Sequence, residues 1–466
     1  MNCLVTSLTS TATAKSSLAR QLRQLFASDQ VASSEGRCAI RLEVPLTDCL
    51  PLQWLSWQNH SPQLYWSDRQ LDFETAGIGC ADKLKCDHRE DYSMALQKIG
   101  QNLNYRSGKA RYYGGIRFNP HAEADEHWLP YGTCYFILPQ FEVFTDPTGT
   151  YFACNVLVDD KEKAGQKLRF LLRALEKVCM EGPLMEKNQS MVCTLRKDTP
   201  EQKEWLGNIE SALAILETGE VDKVVLGRST FLSFDTTPNV FLLLRRLKEI
   251  EPFAYHFYIQ LERGYAFMGA TPERLYKRQH NLIQSEAVAG TCPRGVTVEE
   301  DKALGEMLLR SEKEYREHIM VRDDIKSILE KHCQYLEISD TLQLLKQSKV
   351  QHLYSQIKGW LLDNISDNDL LKLLHPTPAV GGLPRDRALQ EIAKLERFDR
   401  GWFAGPIGWI SNEAAEFAVG IRSAIINGQS LRLFAGAGVV EGSVPELEWE
   451  EIETKISVFM DILGIQ

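Results

Sequence analysis

The chain has 466 residues, 44% of them hydrophobic and 25% charged, with a formal net charge of −10. That composition is the one of an ordinary soluble globular protein, of two to four domains or one large composite body. The acidic balance argues against nucleic acid as the main partner, and no window approaches the ~18 uninterrupted apolar residues of a membrane span.

The Ser- and Thr-rich first segment has no acid before Asp29. A transit peptide is one reading, and a first helix on Leu18, Leu22, Leu25 and Phe26 is the simpler one. CYFILPQFEVF and YFACNVLVDD read as strands, and YYGGIRFNP turns on Gly114–Gly115. His121, Glu123, Asp125, Glu126 and His127 crowd one stretch without an apolar frame or ligand spacing, so they read as a solvated loop. At Thr199–Pro200 the texture changes. Pro200 suits the first turn of a helix, and Glu201 to Glu217 is helical in texture up to Gly219. Two parts follow, 1–200 and 201–466, with no floppy linker between them. Eleven cysteines without C-x-x-C spacing fit a reduced, cytoplasmic setting better than a disulfide framework.

Beyond the boundary, VDKVVLGRSTFLSF, FAYHFYIQLE, YAFMGATPERLY and LIQSEAVAGTCPRG read as strands. Lys223 shares a strand face with Val225 and Gly227. In a tight apolar site such a lysine can act as a general base; as a strand-edge residue it faces water. Pro272 presents Glu273 from a rigid corner, unless the glutamate merely opens a helix. Gly290 and Thr291 sit in a tight, backbone-exposing turn. Long helices follow at about 300–331 and 386–396. In HPTPAVGGLPR, the prolines hold His375 and Thr377 in extended backbone. The chain then returns to strands in GPIGWI, EFAVGIRSAII and SLRLFAGAGVV. Arg422 lies in the second of these and is a natural carboxylate clamp, although it could pair with any acid. Gly436 and Gly438 match a dinucleotide loop only superficially, because no βαβ unit with an acidic ribose partner follows. They suit a backbone N–H surface for an anion.

Two acidic pairs share i, i+3 spacing, Glu314/Glu317 in SEKEYREH and Glu448/Glu451 in PELEWEEIETK. On a helix, each pair lies on one face. With 63 acids, chance alone supplies about 8 such pairs, so spacing by itself is weak. The surroundings add weight. Trp449, Ile452, Ile456, Phe459 and Leu463 form a buried stripe, and Glu448, Glu451 and Lys455 each precede a stripe residue. Ser443 and Glu446 make a capping box. The upstream pair borders Tyr315, Ile319, Ile325 and Leu329. Two such helices facing each other would make an all-oxygen cage for Mg²⁺.

Together DKVVLGR, GATPERL, AVAGTCPRG, EYREH, HPTPAVGG, GIRS, GAGVV and SVPELEWEEIETK resemble the chorismate-utilising enzymes, over about residues 200–466. Within them the chain is most similar to the menaquinone-type isochorismate synthases; PLTDCLPLQWLSWQ and PQLYWSDR share that likeness less sharply. The resemblance implies an α/β (α+β) fold of two large, mostly antiparallel sheets with helices outside and the site between them. Residues 1–200 then complete the common body, and 201–466 form the chorismate-binding catalytic region. It also implies Lys223 as base and Glu273 as acid. Glu317 and Glu451 become Mg²⁺ ligands, with Glu314 and Glu448 as helpers partly through water. Gly290, Thr291, His375, Thr377, Arg422, Gly436 and Lys455 surround the substrate. Lys223 together with Ala289 points to water as the nucleophile, because aminodeoxychorismate synthases carry a nucleophilic lysine at the Ala289 position. Phe403 stands where many relatives have tyrosine. The expected partner is chorismate alone, with no obligate protein partner, nucleic acid or membrane. The alternatives are a salicylate synthase, an isochorismate synthase of siderophore biosynthesis, and a non-catalytic small-anion or dinucleotide binder.

Overall fold

Apolar and small residues recur along the strands at the period that lets a sheet bury its faces. The computed structural model describes residues 11–28, 37–87, 91–104, 107–158, 164–185, 188–339 and 341–465. The first ten residues, the start of the possible transit peptide, and the last two of YFACNVLVDD lie outside them.

The strands form two antiparallel sheets. The twelve-stranded sheet runs Cys38–Leu46, Gly149–Val158, Phe141–Asp146, Glu74–Ile78, Gln63–Ser67, Tyr255–Glu262, Tyr265–Thr271, Ser423–Asn427, Ser430–Val439, Lys223–Phe234 and Gly382–Leu383, with Cys193–Thr199 also paired to Lys223–Phe234. The ten-stranded sheet runs Cys333–Ile338, Val350–Leu361, Leu282–Pro293, Arg274–Gln279, Ala414–Val419, Pro406–Ile410, Tyr112–Ile116, Cys134–Leu138 and Asp82–Cys86, with Gln343–Lys346 also on Val350–Leu361. Helices pack outside them. Pro445–Leu463 lies on Ser430–Val439 of the larger sheet, and Glu312–Glu330 lies on Leu282–Pro293 of the smaller. The two acid-bearing helices therefore belong to different sheets. One apolar cluster runs from Ala14 to Leu463 through both.

The chain crosses between the sheets at two places that matter for the site. Tyr265–Thr271 lies in the larger sheet and Arg274–Gln279 in the smaller, so Pro272 and Glu273 form the corner between them. Ala414–Val419 and Ser423–Asn427 make the return crossing at Gly420–Arg422. The crossings are tied to each other. The Val419 N–H donates to the Glu273 carbonyl at 3.0 Å, and the Thr271 hydroxyl donates to the Val419 carbonyl at 2.7 Å.

Several local expectations change. Gly114 and Gly115 lie inside the strand Tyr112–Ile116 and make no turn. A Cβ on Gly114 would stand 1.9 Å from the Tyr135 carbonyl, so close packing explains the pair. The helix expected over 300–331 is two, Val298–Arg310 and Glu312–Glu330, broken at Ser311, whose hydroxyl caps the second. Pro200 precedes the helix Gln202–Glu217 and is not in its first turn. The Ser443–Glu446 capping box does not form: Val444 is the N-cap, and Ser443 accepts the Val440 N–H at 3.2 Å. On Glu312–Glu330 the buried stripe is His318, Val321, Ile325 and Leu329, while Tyr315 is exposed. Arg422 is not within a strand. It occupies the return crossing with φ of 50°, because the chain must change sheets there. The helices Val240–Ile250 and Asp367–Leu374 and the long strand Val350–Leu361 went unread.

Candidate active site

A cleft opens between the sheets, lined by residues of both. Of the residues singled out from sequence, Glu273, Gly290, Thr291, Glu317, Arg422, Gly436, Glu451 and Lys455 line it. Ala289 and Phe403 line it too.

Lys223 begins the strand Lys223–Phe234, paired to Ser430–Val439 on one side and Gly382–Leu383 on the other. It is 0% exposed, which rules out the strand-edge reading. Its Nζ donates to Glu317 Oε1 at 2.8 Å. The pair fits because residue 438 is glycine: a Cβ there would lie 2.7 Å from Glu317 Oε1 and 3.0 Å from Lys223 Cε. Burial alone would raise the Glu317 carboxyl; Lys223, then Lys455 and Lys313, outweigh it and hold it below its ordinary value.

Glu273 stands at the sheet-crossing corner, not at a helix start, and is buried. Burial and then Glu286 raise its carboxyl, against Lys223, Lys455 and the Thr377 hydroxyl, to about 8. It is therefore protonated at neutral pH and can donate a proton.

The acidic pairs meet across the sheets. Burial and then Glu451 push Glu448 up to about 7, and burial and then Glu317 raise Glu314. Three lysines hold the four acids: Lys313 contacts Glu448 at 3.2 Å and Glu314 at 3.7 Å, Lys223 contacts Glu317, and Lys455 pairs with Glu451. Glu314 also accepts the Thr291 N–H at 2.8 Å. Among the described residues no three His, Cys, Asp or Glu groups converge as a finished cage. The donor set nonetheless fits a hard cation, since these carboxylates raise one another's affinity for positive charge.

Positive charge also borders the cleft. Lys455 donates to the Gly436 carbonyl at 2.9 Å. Arg422 lines the cleft, and among the described residues no carboxylate lies within ion-pair distance of it. Gly290 forms a β-bulge in Leu282–Pro293, with φ of 76°, and not a turn. Thr377 is buried beside Glu273 and His375 lies behind the wall; neither is among the lining residues. Burial, then Arg385, pushes His375 down to about 3, and Phe118 packs edge-on at 5.8 Å. Burial thus keeps His375 neutral.

Sequence reasoning missed His352 and Arg400, both of which line the cleft. His352 sits 3.0 Å from the Thr291 hydroxyl and is held neutral by burial, then by Arg422 and Lys455. Only its pairing register beside Thr291, a long-range fact, marks it. Arg400 donates to the Val225 and Val380 carbonyls at 2.6 and 2.8 Å, which braces the wall near Lys223. At Phe403 the ring stacks on Phe434 at 5.3 Å and offers no hydroxyl.

A family model described as chorismate binding enzyme matches residues 23–464. The chain is 36% identical over 417 residues to the isochorismate synthase MenF of Bacillus subtilis, covering 86% of this chain and 88% of that protein. It is 32% identical over 430 residues to MenF of Haemophilus influenzae, covering 91% and 92%. Among solved structures, MenF of Escherichia coli, described as the menaquinone-specific isochorismate synthase, matches with a TM-score of 0.83 and 31% identity over 97% of this chain and 99% of that one.

Proposed function

The chain belongs to the chorismate-binding enzymes, and we propose that it works as an isochorismate synthase of menaquinone biosynthesis, an isomerase acting on chorismate. The observation that carries the mechanism is Glu273 of the cleft lining, buried and protonated up to about 8, together with the buried Lys223, which is not itself a lining residue and meets the cleft through its contact to Glu317.

Lys223 takes a proton from water, which attacks ring carbon C2. Glu273 gives its proton to the departing C4 hydroxyl, and the ring double bonds shift. One water enters and one leaves, so the products are isochorismate and water. The ring is held by its carboxylates, for which Arg422 and Lys455 supply charge and Gly290, Thr291 and Gly436 supply backbone. The Thr377 hydroxyl lies close enough to the acid to bear on its charge. Ala289 supports water as nucleophile, since no amine stands at that wall position.

Glu317 and Glu451, helped by Glu314 and Glu448, would hold Mg²⁺, which when bound neutralises a substrate carboxylate and anchors it. In this reading residues 201–466 form the catalytic region and 1–200 complete its body. Chorismate is the small-molecule partner in this reading. The proposed setting is the cytoplasm, as cysteines without C-x-x-C spacing suggest. Among the described residues no helix is long and apolar enough to cross a membrane.

Incubating the protein with chorismate and Mg²⁺ and resolving the products by chromatography tests this. Isochorismate alone is expected. Salicylate and pyruvate would replace the reading with a salicylate synthase, and no turnover would overturn it.

A further inference from the structure

The segment WSDR follows a strand of the N-terminal part, far in sequence from any residue of the mechanism, yet it reaches the acid. After Gln63–Ser67 the chain turns at once. Asp68 accepts the Asp72 N–H at 3.0 Å and the Phe73 N–H at 3.3 Å, and Leu71 takes a φ of 62°. This closed turn aims Arg69 out of the larger sheet toward the smaller.

There Arg69 Nη1 donates to the Pro272 carbonyl and to Glu286 Oε1, each at 2.7 Å, and Nη2 donates to Glu286 Oε2. Glu286, on Leu282–Pro293, is 2% exposed and also accepts the Arg274 N–H at 2.9 Å. The pair thus grips the residues on both sides of Glu273: the carbonyl before it and the N–H after it. The Arg274 side chain is anchored in turn. Its Nε donates to Tyr255 Oη at 2.8 Å, and that hydroxyl donates to Glu416 at 2.9 Å.

We propose that Arg69 and Glu286 are positioning residues, a two-armed clamp from the N-terminal part that fixes the Glu273 corner and sets the charge around it. The proposal rests on the isochorismate synthase reading. The geometry is specific: a two-armed guanidinium–carboxylate contact spans two sheets, and each member also holds backbone of the same three-residue corner. Glu286 is the negative group that raises the acid, and Lys223 and Lys455 are the positive groups that oppose it, with the Thr377 hydroxyl. Removing the Glu286 charge leaves Arg69 unbalanced beside Glu273, which favours its ionised form. Removing Arg69 leaves Glu286 balanced only by the longer Arg274 contact at 3.9 Å, which favours the protonated form. The two substitutions therefore displace the acid in opposite directions, and general damage to the fold cannot do that.

The test is the pH profile of kcat for chorismate turnover in the full chain. Glu286→Gln moves the alkaline limb to lower pH, with kcat at pH 8 down about fivefold and KM within about twofold, as a one-unit displacement requires. Arg69→Gln moves the limb to higher pH. Arg69→Lys, which keeps the charge but loses one arm, leaves the limb in place and lowers kcat at every pH. Should Glu286→Gln not fold, the contrast between Arg69→Gln and Arg69→Lys decides. Limbs that stay put in folded variants, or that move the same way, overturn the clamp. A wild-type protein without chorismate turnover would instead overturn the functional reading itself.

Discussion

The Glu273 corner and the paired acidic helices both bury carboxylates in one cleft, but they hold them differently. At the corner the restraints are a backbone N–H, a hydroxyl and a rigid fork: the Val419 N–H, the Thr271 hydroxyl and the Arg69–Glu286 contact, spread over both sheets. Across the helices the restraints are lysine ion pairs, from Lys313 and Lys455 and from the fully buried Lys223. The corner is held by contacts within the protein, and its carboxyl is raised to about 8. The helices carry lysine counter-charges, which in the proposed function a cation and an anionic substrate would displace.

The largest expected effect tests whether both regions serve one reaction. Lys223→Ala lowers kcat by roughly 10³-fold, within the range for a lost general base, while Mg²⁺-dependent chorismate binding measured by calorimetry persists. Rates like the wild type in a coupled absorbance assay would remove Lys223 from the base role. The next effect separates the helices from the corner. Glu317→Gln weakens the apparent Mg²⁺ affinity roughly ten- to hundredfold and leaves the alkaline limb of kcat in place. An unaltered metal titration would take Glu317 out of the cation site.

A third effect belongs to the corner alone. Glu273 must be protonated to act, so the alkaline limb of kcat falls as pH rises through about 8. The sign for stability is the same. The folded value of about 8 stands above the ordinary 4.5, so this contribution is complete below 4.5 and is lost as pH rises through about 8. Glu273→Gln abolishes both dependences, as a pH series of kcat and thermal melts would show. The smallest effect sharpens the lysine side. Lys313→Met removes a cation that competes for Glu448 and Glu314, so apparent Mg²⁺ affinity rises a few-fold, as the ~1 kcal/mol of a partly exposed ion pair allows. A weaker affinity would show that Lys313 supports the site.

Much of this was legible in the chain. The stripe of Ile452, Ile456, Phe459 and Leu463 located the last helix and set Glu448 and Glu451 at its border. Helical period is a local property, so spacing of three and four reports it directly. The strand of Lys223 and the corner at Pro272 were readable for the same reason. The motif likeness brought the base, the acid and the acidic pairs into one hypothesis.

Other features needed the fold. That Lys223 lies between strands ending at Val439 and Leu383, that Arg422 marks a change of sheet, and that His352 stands beside Thr291 all depend on pairings between distant segments. The reach of Arg69 to a corner 203 residues away does too. Strand registry and burial come from which segments pair, and no window of neighbouring residues encodes that choice. Local patterning settled which side chains could do chemistry here, and long-range packing settled which of them meet, in what charge state, and against what wall.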